Sequence, residues 1–153
     1  MEHKSKSLTS EELVALLSGV LDQGAAVPLV VTGSSMAPFL ADGRDTVYLS
    51  KISRPVRRGD MVLYRRISGE LVLHRVCRLD QNGFTMVGDA QLIPEPGIGP
   101  EQLLAVVTAV RRNGKLLTRT SLPWLFYGKI WLLVLPWRGK LMASYAGITR
   151  KRR

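Results

Sequence analysis

Apolar residues recur in this chain with two different periods, and the change of period divides it. Leu13, Leu16, Leu17, Val20 and Leu21 fall at helical spacing. Thr9 and Glu12 precede them with the spacing of a capping box, and Asp22-Gln23-Gly24 provides the stop. Beyond Gly24 the runs are short, β-branched and bounded by turn residues. Val27–Val31, Thr46–Leu49, Met61–Tyr64, Leu71–Cys77, Phe84–Val87 and Leu103–Arg111 read as strands. Asp42-Gly43, Gly59-Asp60, Ser68-Gly69, Asn82-Gly83 and Asn113-Gly114 punctuate them, Asn82-Gly83 giving the strongest hairpin signal. The unbroken run Met61–Tyr64 predicts a strand buried on both faces. Gln91–Pro100 reads as a Pro-rich loop. The pattern predicts a mainly β fold with short helices: an N-terminal helical segment over 1–26 and a coiled antiparallel β-body over 27–115. A distinct tail follows over 116–153.

The tail changes the picture because Leu122–Trp137 is apolar for sixteen residues apart from Lys129 and holds all three tryptophans. It predicts a C-terminal apolar helix, yet a spanning helix needs about 20 apolar residues. Lys129 near the middle would add roughly 2.5–3.5 kcal/mol to insertion. Tryptophans at both ends instead suit a segment lying among lipid headgroups, the alternative being a helix packed on the β-body. Charge favours the lipid. Of 22 Lys/Arg, eleven accompany all twelve Asp/Glu up to Glu101, and eleven follow with no acid at all. Arg150-Lys151-Arg152-Arg153 completes this basic end, which implies an anionic membrane surface as partner through 122–153. Nucleic acid is not expected: no helix-turn-helix precedes the body, and the aromatics cluster with leucines. Met1–Ser7 is polar, reads as frayed and carries no secretory signal pattern, so the expected location is the cytoplasmic face of a prokaryotic membrane.

Composition narrows the chemistry. With hydrophobic content of 46% and charged content of 22%, the chain has the makings of one globular core. The single cysteine, Cys77, excludes an internal disulfide, and His3 and His74 are too few to build a metal cluster around it. No cofactor or metal is expected. What remains is a possible acyl-transfer set. Val31-Thr32-Gly33-Ser34-Ser35-Met36-Ala37-Pro38 ends a strand in a turn that presents Ser35 while Met36 points toward the core. Alternation on the Leu71–Cys77 strand puts His74 on one face with Val72 and Val76, and Leu71, Leu73 and Arg75 on the other. Asp89 follows the next strand, placed to return beside His74 or to serve only as a turn residue. A hydroxyl needs a base to become a nucleophile, and a carboxylate behind the base fixes its tautomer.

Gly33-Ser34-Ser35-Met36-Ala37-Pro38, Arg58-Gly59-Asp60-Met61-Val62, Leu73-His74-Arg75-Val76 and Val87-Gly88-Asp89-Ala90 resemble successive boxes of type I signal peptidases. The wider group includes the LexA-like self-cleaving repressors. The resemblance spans about Val27–Lys115. It implies a LexA/signal-peptidase-like β-fold, Ser35 as nucleophile and His74 as general base, where the bacterial enzymes and LexA-like proteins carry lysine. It further implies Asp89 as third member and Asp60 as a structural acid. Gly33 stands where several signal peptidases place an oxyanion-donating hydroxyl, so the oxyanion hole would rest on the Ser35 N–H with help from Ser34. The expected activity is therefore serine endopeptidase cleavage of a leader or precursor peptide bound as an extended strand. A LexA-like self-cleaving or DNA-associated regulator and a non-catalytic peptide-binding module are the alternatives.

Overall fold

The structure, a computed structural model, describes residues 9–150, with side chains as far as Ser144. Met1–Ser7 and the cations of Arg150–Arg153 lie outside what it describes. Helix α1 (Ser10–Asp22) starts where Thr9 Oγ1 accepts from the Glu12 N–H at 3.2 Å and Glu12 accepts from the Thr9 N–H at 2.9 Å. Two backbone donors are thus satisfied reciprocally, and Leu17 and Leu21 are buried.

Eight strands follow among the described residues: β1 (Val27–Val30), β2 (Asp45–Ser50), β3 (Met61–Arg65), β4 (Leu71–Asp80), β5 (Gly83–Val87), β6 (Glu95–Ile98), β7 (Leu103–Arg112) and β8 (Lys115–Thr118). All pair antiparallel in one sheet of order β1-β2-β7-β3-β4-β5-β6. One side of β7 is shared: β3 takes Leu103–Val106 and β8 takes Ala109–Arg112.

Strand β3 separates two apolar clusters. Met61 and Leu63 join the larger, with Leu17, Leu21, Met36, Phe39, Leu40 and Val47. Val62 and Tyr64 join the smaller, with Val72, Val76, Met86 and Ile98. Burial on both faces explains why β3 shows no polar alternation. Two strands lay beyond the hydropathy pattern. Gly114 leads into β8, and β6 runs through Pro96 and Gly97 inside the stretch expected to be a loop. Proline is tolerated in β6 because that strand pairs with β5 alone and lies at the sheet edge.

The expected C-terminal apolar helix is not formed. Leu122–Trp137 is broken into α2 (Leu122–Leu125), a π-helical turn at Phe126–Ile130, α3 (Trp131–Leu133) and a 3₁₀ turn at Leu135–Trp137. A separate helix α4 (Arg138–Arg150) follows. Close backbone packing accompanies the break. Gly128 sits against Gly59, where a Cβ would come 2.7 Å from the Gly128 carbonyl oxygen. Pro136 then interrupts the ladder a second time.

Two of the tryptophans do not face outward. Trp124 is buried against Phe39 in the larger cluster, and Trp131 is half-buried, donating its indole N–H to the Asp89 carbonyl at 2.8 Å. Another row of this segment is open to solvent: Leu122, Phe126, Ile130, Leu133, Trp137 and Leu141, spaced three or four residues apart. Among the described residues no helix is long and apolar enough to cross a membrane.

Candidate active site

Ser35 lies in the turn that leaves β1, its side chain half-buried, while Ser34 beside it is exposed. The turn is fixed from three directions. Met36, Phe39 and Leu40 sink into the larger cluster. Arg112 donates to the Phe39 carbonyl and also grips the buried Asp45 at 3.0 and 3.1 Å. Ala90 donates its N–H to the Ser35 carbonyl at 2.9 Å. Gly88 makes that last approach possible, since a Cβ there would collide with the Ser35 carbonyl oxygen. The Ser35 N–H has no acceptor among the described residues, whereas the Gly33 N–H is taken by Asp42 at 3.1 Å.

A cleft of about 460 Å³ opens in front of this turn. Ser35 and Met36 line one side with Leu29–Val31, and Leu71–His74 of β4 line the other. Both walls are short of partners. Strand β1 ends the sheet, and β5 pairs with β4 only from Arg75 onward, leaving Leu71–His74 open on that side. Ser35 and His74 thus share one cavity, although no hydrogen bond joins them in this structure.

His74 is 2% exposed on the face it shares with Val72 and Val76, as alternation predicts. Burial, reinforced by the nearby Arg66 cation, lowers its pKa from 6.5 to about 4, so the ring is neutral near pH 7. The expected hydrogen bond from His74 to Asp89 is absent, and strand parity explains why. Arg75 pairs with Val87, and Asp89 lies two residues beyond Val87. It therefore returns on the Arg75 face of β4. There Arg75 donates to both carboxylate oxygens at 2.9 and 2.8 Å, with both side chains fully buried. A third guanidinium N–H reaches the Gly59 carbonyl at 2.9 Å.

The neighbour of His74 is instead Tyr64, whose hydroxyl lies 3.2 Å from Nδ1. Tyr64 in turn donates to Glu95 of β6 at 2.7 Å. Arg66 holds that carboxylate with two hydrogen bonds of 2.9 and 2.8 Å and keeps its pKa below the usual range. Sequence reasoning missed all three residues. Tyr64 had a readable signal, because a buried phenol needs a polar partner. Glu95 had none, since Pro96 and Gly97 give its strand the pattern of a loop.

Asp60 is buried under Arg54, which donates at 2.9 and 3.0 Å, and Arg119 at 2.6 Å. It also accepts from the Arg57 N–H, so it ties the β3 entry to the segment after β8 and does not line the cleft. Among the described residues no group of three His, Cys, Asp or Glu side chains gathers as metal ligands. Neither a family model nor a curated protein sequence matches this chain.

Proposed function

We propose that the protein is a serine endopeptidase of the signal-peptidase kind, acting on a leader or precursor peptide held as an extended strand. One observation carries the reading: Ser35 and a buried, neutral imidazole stand on the walls of one cleft bordered by open strand edges. An incoming peptide would pair along β1. Ser35 Oγ would add to the scissile carbonyl carbon as its proton passes to His74 Nε2, with the oxyanion facing the Ser35 N–H. Collapse would expel the amine, protonated by His74. Water activated by the same ring would then cleave the acyl–Ser35 ester. The missing Ser35–His74 hydrogen bond is compatible with this, because such bonds commonly tighten only when substrate is bound. It also favours a second reading, a peptide-binding module that keeps the cleft without the chemistry. A fluorophosphonate probe separates the two. Labelling at Ser35, with peptide-library cleavage lost in Ser35→Ala and His74→Ala, is expected for the enzyme. Absent labelling, or turnover retained in either variant, removes the peptidase assignment.

We also propose that the outward row from Leu122 to Leu141 rests on an anionic lipid surface. Exposed apolar side chains, flanked by the exposed Lys129 and Lys140 and followed by no acid after Glu101, support this placement. Trp124 and Trp131 act inward, so the contact would depend on the leucines, Phe126 and Trp137. The full chain should sediment with phosphatidylglycerol-containing vesicles, less so in high salt and less so as Leu133→Asp. Equal sedimentation with pure phosphatidylcholine, or none with either, overturns it.

A further inference from the structure

We infer that Glu95 and Tyr64 form a relay that fixes the tautomer of His74, taking the positioning role that a carboxylate plays when it touches the imidazole directly. The tautomer rests on the hydrogen bonds alone, and its catalytic consequence rests on the peptidase reading.

A tyrosine hydroxyl has one proton to give. Glu95 is ionised under the grip of Arg66 and offers only lone pairs, so the Tyr64 proton points to Glu95, at 2.7 Å. Nδ1 of His74, 3.2 Å from the same oxygen, must then be the donor in that contact. A neutral imidazole carries one N–H, so Nε2 is left with its lone pair free. That is the tautomer a general base needs if Nε2 is to take the Ser35 proton.

The relay is built by strand register. Val62 pairs with His74, so Tyr64 lies diagonally across on the same face. Glu95 reaches that face through Met86 and Val76, its successive partners across β5 and β4. As His74 becomes imidazolium, a negative charge two hydrogen bonds away stabilises it, while Arg66 opposes it. Glu70, tied to Arg66 at 2.6 Å, adds a weaker favourable field. Among the described residues, Tyr64, Arg66, Glu70 and Glu95 are the titratable groups that act on this ring.

Side-chain nitrogen NMR of the full chain, labelled at histidine, reads the tautomer without any assumption about activity. The chain has only His3 and His74, and His3→Gln assigns the signals. A dominant Nδ1–H form for His74 is expected, and a dominant Nε2–H form overturns the relay. Tyr64→Phe keeps the ring and removes the acceptor. It should mix the tautomers and lower kcat by ~10-fold or more with little change in KM. Glu95→Gln keeps an oxygen for Tyr64 and removes the charge. It should shift the acidic limb of the kcat profile to lower pH and reduce the plateau. Unchanged tautomer and kcat in Tyr64→Phe, or an unmoved limb in Glu95→Gln, refutes the inference. A chain that shows the Nδ1–H form yet never labels at Ser35 retains the relay and loses the peptidase.

Discussion

Strand β4 carries a base on each face, and each has a carboxylate behind it, but the two arrangements behave differently. On one face Arg75 meets Asp89 directly, fork to fork, with neither side chain reaching water. On the other, His74 meets Glu95 only through the Tyr64 phenol, and the Glu95–Arg66 pair is about a third exposed. Opposite charges meet directly in the first, through two parallel hydrogen bonds. Charge is withheld in the second because the desolvated imidazole takes up no second proton near pH 7. Direct pairing locks the turn that carries Ser35, whereas pairing through a phenol leaves a ring that can still accept a proton.

Breaking the direct pair should have the largest effect. Asp89→Ala strands the Arg75 guanidinium in the interior and should cost about 3–5 kcal/mol, read as a lowered denaturation midpoint. A loss below ~1 kcal/mol would mean the pair is not sealed. Acid gives the next effect. The folded pKa of His74 is near 4 and the unfolded value near 6.5. Between these values the unfolded chain binds a proton that the folded one does not, so stability falls as pH drops through the interval. The full shift corresponds to roughly 3 kcal/mol. Thermal unfolding of wild type and His74→Asn from pH 7 to 4 reads it as a difference between the two, and the gap between them should narrow in acid. Glu95→Gln should change stability least, by about 1 kcal/mol or less, since the pair it removes is partly solvated. A larger loss there than in Asp89→Ala would reverse the comparison.

The same contrast explains how far the residue pattern could be followed. The Thr9 cap, the Asn82-Gly83 hairpin, the double burial of Met61–Tyr64 and the company His74 keeps with Val72 and Val76 depend on local spacing, and local spacing is visible in a sequence. The partner of Asp89 depends on register across a hairpin. A shift of one residue between β4 and β5 would have sent that carboxylate to the other face. Glu95 was hidden more thoroughly, because Pro96 and Gly97 disguise an edge strand as a loop. The broken course of Leu122–Trp137 is accompanied by the approach of Gly128 to Gly59, a contact between positions far apart in the chain.

Arg138 shows what that last segment does for the rest. Its guanidinium is fully buried and donates to the carbonyls of Gly88 and Gln91 at 3.1 and 3.0 Å, and to that of Trp131 at 2.9 Å. The Gly88–Gln91 bend that it staples is the one whose Ala90 N–H steadies the Ser35 carbonyl. Hydropathy draws a border near Lys115, but cutting there would remove the brace from the serine turn. The contacts that brace the serine turn therefore extend as far along the chain as Arg138.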